Sequence, residues 1–352
     1  MKLIHCADIH LGSKIDSSFP REISARRKEA VRNTFKRLVS YARSNGVKAI
    51  LLSGDVFDGD NPFKKDKEFF FSVVANNPEI EFFYLRGNHD INGERGEYEN
   101  LKTFSDCWTA YDLGGVTVSG IEMTGENCTS LYSTLSLEKG GLNIVMLHGQ
   151  VASSAGMDKI NLSKLKDKNI DYLALGHVHE YKSGKLDDRG TWAYSGCLEG
   201  RGFDETGEKG FIELDADGGK ITSRFVPFAE NVIIEKSVDI TGVNDAYAAS
   251  LKVKSEVGLD AKSIYRILLT GEVDYTVDDL VSDAEKYLSG DCLFVRVKDR
   301  TRKKIDIHAY DGDTSLKGEF VRAVYASDYS DEDKAKIISY GLKALDGARG
   351  IE

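Results

Sequence analysis

The sequence predicts an α/β domain followed by a smaller α+β unit. Short apolar runs alternate with helical patterns from Met1 to Glu230, and polar residues follow several of those runs. After Gly190 the pattern changes to Gly-rich segments that resemble β-strands. The chain has 352 residues, more than one ordinary domain of about 100–200 residues requires. With 41% hydrophobic and 30% charged residues, its composition is that of a folded protein and not of a disordered one.

The first part of the chain contains strand candidates separated by two helical patterns. Arg21–Ser44 predicts a helix because its apolar residues recur at spacings of three or four, and Asn45-Gly46 is typical of a helix end. Pro62–Ala75 predicts a second helix, with Pro at its start. The strand candidates end at Gly, Asp, Asn or His; they are Leu3–Ile9, Ala49–Ser53, Ile80–Arg86, Asn143–Leu147 and Tyr172–Leu175.

The second helix contains Phe69-Phe70-Phe71, and three consecutive rings cover more than one helix face. Packing in the core and a protein–protein surface are both open at this point. In the second case, the helices Arg21–Ser44 and Pro62–Ala75 are expected to build a homodimer.

A domain boundary is predicted at Phe228–Asn231, which gives domains 1–228 and 232–352. Before it, three Gly-rich segments are expected to form hairpins: Thr191–Ser195, Gly210–Leu214 and Ile221–Phe228. After it, strands are expected at Val232–Ile240, Ile264–Gly271, Cys292–Val297 and Ile305–His308, and helices at Asp245–Val257, Val277–Leu288, Ser315–Tyr325 and Asp331–Ala344.

Charge and cysteine usage exclude several classes. There are 57 acidic and 47 basic residues, net charge −10, which argues against a generally basic nucleic-acid coat. Two basic islands, Arg21–Arg43 and Arg296–Lys304, are either solvated faces or phosphate contacts. The five cysteines are scattered without CxxC spacing and indicate reduced thiols in a cytoplasmic protein. The apolar run at the N-terminus is too short for a signal peptide or a membrane span.

The histidines carry the strongest functional signal. Five of the seven lie at the ends of strand candidates, in segments that each follow an apolar run. Because ligands gather at the carboxyl ends of parallel strands, these segments are expected to meet in one cleft. They are Asp8-Ile9-His10, Gly54-Asp55, Gly87-Asn88-His89-Asp90, His148-Gly149 and Gly176-His177-Val178-His179.

These residue types predict a pair of divalent metal ions. Imidazole and carboxylate ligands together favour Mn²⁺, Fe²⁺ or Zn²⁺ over Mg²⁺ or Ca²⁺. Mn²⁺ is the ion expected here, and Fe²⁺, Zn²⁺ and Mg²⁺ stay open as alternatives. Asp55 is suited to bridge two ions because a carboxylate has two oxygens. Two ions about 3.5–4 Å apart polarise a phosphoryl oxygen and acidify a bridging water. Outside the set, His5 is expected to be packed inside the first strand, and His308 to be structural or exposed.

Three motifs stand out: Ala7-Asp8-Ile9-His10-Leu11-Gly12, Ser53-Gly54-Asp55-Val56-Phe57-Asp58 and Gly176-His177-Val178-His179. On these residues the region from Met1 to Phe228 resembles the calcineurin-like metallophosphoesterase superfamily, and more narrowly the SbcD-type DNA repair exonucleases. A fourth match is Tyr194-Ser195-Gly196 followed by Glu208-Lys209-Gly210-Phe211. The remainder resembles the family's capping domain only in position and length.

The resemblance implies a metallophosphoesterase β-sandwich flanked by helices, and it assigns roles to residues. His89 would protonate the leaving oxygen after a bridging hydroxide attacks phosphorus, and Asp90 would orient His89 or stabilise its charge. Where some relatives have His, this chain has Asp58, which leaves open how the phosphate is held. One metal would be held by Asp8, His10, Asp55 and His179, and the other by Asp55, Asn88, His148 and His177.

The expected function is therefore metal-dependent DNA cleavage, by an exonuclease or endonuclease, in double-strand break repair or end processing. The resemblance also implies a homodimer and a coiled-coil ABC-type ATPase partner of the SbcC type, for which apolar residues after Ser315 are candidate contacts. The alternative is a phosphodiesterase acting on a small nucleotide or cyclic nucleotide. A protein phosphatase is disfavoured because Phe57-Asp58-Gly59 lacks the phosphate-gripping Arg, and a non-enzymatic scaffold because all the ligands are present.

Overall fold

The structure is a computed structural model that describes residues 1–59, 62–90, 96–243, 245–273, 278–303 and 307–345. The chain divides into two compact units. The first comprises Met1–Ile234 with Lys262–Ile264, and the second comprises Glu235–Ala261 with Tyr265–Glu352. The roles predicted for 1–228 and 232–352 stay predictions.

The first unit is built on two six-stranded sheets. The first has the order β14-β13-β1-β2-β3-β4 and the second β11-β12-β10-β7-β6-β5, while β8 and β9 form a separate pair. Strands β1 to β4 run parallel to one another, as do β6, β7, β10 and β12. The strands are β1 Lys2–Cys6, β2 Ala49–Ser53, β3 Glu81–Leu85, β4 Leu101–Thr103, β5 Thr109–Asp112, β6 Val116–Gly120, β7 Leu142–His148, β8 Gln150–Val151, β9 Lys159–Ile160, β10 Tyr172–Gly176, β11 Lys182–Lys185, β12 Thr191–Tyr194, β13 Gly210–Asp217 and β14 Lys220–Pro227.

The two sheets pack face to face, and alternation along the strands explains how. In β2, Ala49 and Leu51 point into the core between the sheets, whereas Ile50 and Leu52 point to the opposite face. Successive side chains of a strand point to opposite faces, so a strand covered on both sides reads as a continuous apolar run. The inner core continues through Ile144 of β7 on the second sheet.

Helices cover the outer face of the first sheet. They are α1 (Arg21–Ser44) and α2 (Lys64–Ala75), and a short helix α3 (Leu131–Thr134) and a 3₁₀ helix (Leu162–Lys164) lie elsewhere in this unit. Phe70 and Phe71 are buried, and Phe69 packs partly buried against the same core. The three Phe rings therefore belong to the core, in the layer between α1, α2 and the sheet. The expectation that they supply a dimer surface is wrong, because it assumed that the helix could not bury all of them inside the protein.

The second unit is a small α+β arrangement. A sheet of order β15-β16-β18 is joined by the pair β17-β19, and α4 and α5 pack together. Its elements are β15 Ile233–Asp239, α4 Ala246–Val257, β16 Ile264–Thr270, β17 Glu272–Val273, α5 Asp278–Leu288, β18 Phe294–Asp299, β19 Arg302–Lys303, a 3₁₀ helix Ile307–Tyr310, α6 Leu316–Tyr325 and α7 Asp331–Leu345.

One predicted strand in this unit is wrong. Ile305–His308 was expected to be extended, but residues 307 and 308 belong to the 3₁₀ helix, and residues 305 and 306 lie outside the described part of the chain. A run of four residues carries too little periodicity to separate the two states. The rest of the architecture confirms the predicted fold class, an α/β sandwich flanked by helices with a smaller α+β unit. Among the described residues, no helix combines the length and apolar character that crossing a membrane requires.

Candidate metal centre

The first sheet brings three of the predicted segments together at the carboxyl ends of its parallel strands. Asp8 and His10 follow β1, Asp55 follows β2, and Asn88 follows β3. Two backbone hydrogen bonds hold the first two loops side by side: the amide of Asp8 donates to Gly54 (3.0 Å), and that of His10 donates to Asp55 (2.9 Å). The parallel pairing of β1, β2 and β3 therefore places their polar ends in one row.

The second sheet supplies the remaining candidate ligands from its own strand ends. His148 is the last residue of β7, and His177 follows the neighbouring strand β10. The amide of His177 donates to both carboxylate oxygens of Asp8, at 3.0 and 3.1 Å. This contact joins the loops of the two sheets, so the site lies where both sandwich layers end.

The backbone at these positions is strained. Asp8, His10 and Asp55 all have φ of 52°, and His177 has φ of 101°. Non-glycine residues in this region cost about 1–3 kcal/mol each and cluster at functional sites. Gly54 is required for a different reason, since a Cβ atom there would lie 2.0 Å from the His148 ring. The strands end in sharp turns that aim several side chains at one point.

On one side of the site, the Nε2 atoms of two imidazole rings face each other, and neither of these atoms carries a proton to donate to the other. Nε2 of His10 lies 3.1 Å from Nε2 of His179. The Nδ1 atoms of the two rings point away, toward Asp58 (3.1 Å) and Glu205 (2.7 Å) respectively. Because each ring donates its Nδ1 proton to a carboxylate, both Nε2 atoms present lone pairs to the same space. Two converging lone pairs suit a cation.

On the other side, acceptors also converge. Nδ1 of His148 lies 2.9 Å from the carbonyl oxygen of Ser53, which can only accept, so Nε2 is the ring nitrogen left to bind a proton or a metal ion. That atom lies 3.0 Å from Oδ1 of Asn88 and 3.4 Å from Oδ2 of Asp55. The same Asn88 oxygen lies 3.0 Å from Nδ1 of His177. The donor set is thus imidazole, carboxylate and amide oxygen, the ligands of Mn²⁺, Fe²⁺ or Zn²⁺.

The charges of the site also favour the binding of a cation. Burial alone would lower the pKa of His148, but Asp55 and Asp8 outweigh it and raise that pKa to about 9. Burial acts to raise the pKa of Asp55, yet His148 and His10 reverse this and hold it below its usual range. The buried carboxylates therefore call for positive charge at this point, which a proton or a metal cation supplies. The residues present fit a metal pair, and the groups of possible ligands within reach of one another are Asp8–His10–His179, Asp8–Asp55–His148 and His10–Asp58–His89.

His89 belongs to one of these three groups, but its side chain is more exposed than those of the predicted ligands His10, His148 and His179. Its side chain is 46% exposed, and its Nδ1 lies 3.2 Å from Oδ1 of Asp58. Its amide donates to Oδ1 of Asp55 at 2.9 Å, which fixes the loop against the site. An exposed ring with Nδ1 held by a carboxylate leaves Nε2 free to meet a substrate.

Asp90 has partners other than the one expected for it. Its buried carboxylate accepts from the amides of Val56 (2.9 Å) and Gly87 (2.5 Å) and from the hydroxyl of Tyr84 (2.8 Å). Among the described residues, the carboxylate in contact with the His89 ring is that of Asp58. Asp90 holds the loops after β2 and β3, and this corrects the prediction that it orients His89.

Asp58, Glu205 and Arg201 are the residues near the site that sequence reasoning did not assign. Glu205 holds His179 and receives Arg201, whose Nε lies 3.0 Å from Oε1 of Glu205. Burial acts to raise the pKa of Glu205, but its bonds to His179 and Arg201 hold that pKa well below its usual range. Asp58 carried a signal, its position three residues after Asp55, whereas Glu205 and Arg201 lie in no motif.

The two remaining histidines behave as structural residues. His5 is fully buried, with Nδ1 2.9 Å from the Tyr172 hydroxyl, and burial lowers its pKa to about 3, so the ring is neutral. His308 is exposed and lies 3.1 Å from Asp311. Part of the first basic island is structural too: Arg27 is buried and paired with Glu199 at 2.6 Å.

A calcineurin-like phosphoesterase family model matches residues 1–181, which is more than half of the chain. The chain belongs to this family. The match covers every predicted metal ligand, from Asp8 to His179, and confirms the family resemblance seen in the sequence motifs. Metallophosphoesterases use a dinuclear metal centre, and the described residues include candidate ligand groups for one.

Three curated relatives are similar to most of the chain. An uncharacterized metallophosphoesterase, YhaO of Bacillus subtilis, is 29% identical over 68% of this chain and 64% of its own length. The DNA double-strand break repair protein Mre11 of Methanosarcina acetivorans is 25% identical over 86% of this chain and 51% of its own length. The protein of the same name from Thermoplasma acidophilum is 22% identical over 98% of this chain and 95% of its own length. The chain thus spans less than two thirds of the length of the first two relatives.

Proposed function

We propose that this protein is a metal-dependent phosphodiesterase that cleaves DNA during double-strand break repair or the processing of DNA ends. The main support for a metal-dependent hydrolase is that several acceptor atoms converge on one point. Nε2 of His10 and Nε2 of His179 lie 3.1 Å apart, beside Asp8 and Asp55. The choice of DNA is supported by relatives named as DNA double-strand break repair proteins, at 22–25% identity.

Two divalent ions, Mn²⁺ in this proposal, would when bound neutralise phosphate charge and make water a nucleophile near neutral pH. Asp55 lies between the two sides, with Oδ2 3.7 Å from Nε2 of His10 and 3.4 Å from Nε2 of His148. That position supports a role for Asp55 as the shared ligand. The first ion would be held by Asp8, His10, Asp55 and His179, and the second by Asp55, Asn88, His148 and His177.

His89 supplies the proton for the leaving oxygen. Its exposed ring stands beside the site, with ring centroids of His10 and His89 5.0 Å apart, and Asp58 accepts from its Nδ1. That hydrogen bond keeps a proton on Nδ1, so the proton to be given away is the one that the ring carries on Nε2. Asp58 is a positioning residue here.

The experiment combines labelled DNA hairpins with bis-p-nitrophenyl phosphate, each with Mn²⁺ and with chelator. Cleavage of both substrates with Mn²⁺ and of neither with chelator is the expected result. His177→Ala serves as the inactive control and His308→Ala, far from the predicted ligands in sequence and exposed, as the matched active control. Hydrolysis of small or cyclic nucleotide diesters without any DNA cleavage would instead establish the small-molecule alternative.

We further propose that a coiled-coil ABC-type ATPase of the SbcC type binds the second unit and gives access to duplex ends, in the cytoplasm. Of the apolar residues considered for this contact, Ile338 is buried, whereas the Leu316 side chain is exposed. Capture of the candidate ATPase by the wild type but not by Leu316→Asp is the expected result. Equal capture by both would remove this surface from the proposal.

A homodimer is also proposed, from the family resemblance, although not through the triple Phe. Light scattering at micromolar concentration measures it directly: a mass of twice 38.9 kDa is expected, and a monomer mass counts against it.

A further inference from the structure

A narrow cleft lies beside the candidate metal centre, on the side of His10. It is lined by the loop after β1, by the first half of α1 and by the start of α2, and His10 forms part of its wall. Its volume is about 40 Å³. A water molecule needs about 10–15 Å³ of such space, so the cleft has room for a group the size of phosphate and not for a nucleobase.

Basic side chains dominate the walls. Lys28 and Arg32 lie one turn apart on α1, and Lys65 lies in the first turn of α2. Asp66 is the acid of the cleft: its Oδ1 accepts from Nε of Arg32 at 3.1 Å, whereas its buried Oδ2 has no hydrogen-bond partner among the described residues. Among the described residues, Lys28 and Lys65 form no ion pair, so the cleft keeps about two uncompensated positive charges.

A hydroxyl in the wall of the cleft completes the set of donors. Ser13 is only 3% exposed and lines the cleft, and its hydroxyl hydrogen-bonds to no residue that the structure describes. The hydroxyl is therefore available to donate to a ligand in the cleft. The side chain is held in place because its amide donates to the carbonyl of His10 at 3.1 Å.

An exposed aromatic ring stands at the rim. Phe63 is 66% exposed, with Nζ of Lys65 5.7 Å from its ring centroid. Basic side chains next to an exposed ring are the pattern by which proteins hold single-stranded nucleic acid, with phosphates in the groove and a base stacked on the ring.

We propose that this cleft is a phosphate subsite for a nucleic-acid strand: Lys28, Lys65, Arg32 and Ser13 bind the phosphate that neighbours the scissile one. This rests on the proposed nuclease function and deepens it, because a second phosphate contact selects a polynucleotide over a small diester. The exposed ring of Phe63 takes the adjoining base. The strand therefore runs from the metal centre across His10 toward the start of α2.

The test compares substrates with one phosphate and with several. Wild type, the double variant Lys28→Ala/Lys65→Ala and the control Lys64→Ala are assayed with bis-p-nitrophenyl phosphate, the dinucleotide TpT and oligothymidylates of three to ten nucleotides. Lys64 is the matched control because it is the adjacent residue of α2, exposed, and paired with Glu68 outside the cleft. Binding of a labelled oligothymidylate is measured separately by anisotropy over a salt series.

The double variant is expected to lose about tenfold or more in kcat/KM on the longer oligonucleotides, mainly through KM, with bis-p-nitrophenyl phosphate and TpT unchanged. Its salt dependence of binding should be shallower by about one to two in log–log slope, since each lost phosphate contact removes about one. Lys64→Ala should match the wild type.

Two results would overturn the subsite alone: behaviour of the double variant identical to Lys64→Ala, or an equal loss on all three substrate classes. A wild type that hydrolyses bis-p-nitrophenyl phosphate but neither cleaves nor binds oligonucleotides would overturn the proposed nuclease function and the subsite with it.

Discussion

A single carboxylate oxygen, Oδ1 of Asp58, contacts three basic groups at the edge of the metal centre. It lies 3.1 Å from Nδ1 of His10, 3.2 Å from Nδ1 of His89 and 3.7 Å from Nη1 of Arg201. The bond to His10 turns Nε2 of that ring toward the metal centre, and the bond to His89 turns its Nε2 outward. One residue thus links a candidate ligand to the candidate acid.

His89→Ala is expected to keep its metal and lose turnover by about 10²–10⁴-fold, because a positioned acid contributes that much and the ring is outside the ligand set. His177→Ala should lose metal and activity together. Elemental analysis after dialysis, paired with rates on DNA, measures both. An empty site in His89→Ala would make it a ligand and end the division of roles.

Asp58→Asn is expected to affect substrates according to their leaving group. Cleavage of DNA, which releases a poor leaving group, should fall by about tenfold or more, while bis-p-nitrophenyl phosphate, whose leaving group needs little protonation, should be nearly unaffected. A matched measurement on Asp90→Asn should show no such difference, because its carboxylate holds loop amides. Equal losses on both substrates would contradict a positioning role for Asp58.

At the scale of single residues, the sequence predicts which side chains gather at the site, but not which pairs of side chains are in contact. Asp8, His10, Asp55 and the others follow recognisable strand ends, so their convergence follows from the parallel sheets. The partner of His89 depends on a turn that brings Asp58 within 3.2 Å, and the support of His179 comes from Glu205, 26 residues further along. Neither distance is encoded in a local pattern.

Helix α1 is anchored to the site's surroundings by a buried ion pair. Arg27 donates to Glu199 at 2.6 Å and to Asn231 at 2.7 Å, and Glu199 also accepts from the hydroxyl of Thr34 at 2.8 Å. Glu199 begins the segment that ends at Glu205, the partner of His179. The helix therefore supports the loop that holds a candidate ligand.

Arg27→Met should lower the free energy of unfolding by about 3–5 kcal/mol, because it leaves the Glu199 carboxylate buried and unpaired. Urea denaturation measures the change. Arg26→Met is the control: Arg26 is exposed, pairs with Glu22 on the same helix, and should cost about 0–1 kcal/mol. Arg27→Met/Glu199→Gln should recover part of the loss; a double variant less stable than Arg27→Met would contradict this account.

Helices and strands whose apolar residues follow a long, regular pattern are predicted best. Arg21–Ser44 and Ala49–Ser53 coincide with α1 and β2 in the structure, since a long amphipathic face and a continuous apolar run leave little choice. The triple Phe is a different case: composition shows excess apolar surface on α2, but only the packing of α1 against it shows that Phe70 and Phe71 are covered. Whether an apolar helix face is buried in the core or exposed depends on which other elements pack against it.

Across the whole first unit, the candidate ligands come from two separate sheets. Asp8, His10, Asp55 and Asn88 follow strands of one sheet, and His148, His177 and His179 end or follow strands of the other. A metal pair held by both sets would fasten the two layers at one end of the sandwich. Unfolding of this unit must then release the metal, so metal binding adds to stability.

Mn²⁺ is therefore expected to raise the melting temperature of the chelator-treated protein. A ligand at a hundredfold excess over its Kd stabilises by about 2.7 kcal/mol, and a domain of 150–250 residues gains about 2–4 °C per kcal/mol, which gives a rise of about 5–10 °C. Calorimetry with increasing Mn²⁺, alongside elemental analysis expecting two metals per chain, makes the measurement. His177→Ala should show a much smaller rise, because it removes a ligand from the second sheet, and His308→Ala the full one. The same rise in His177→Ala as in the wild type would mean that the ion binds elsewhere, and the fastening of the two sheets would have to be abandoned.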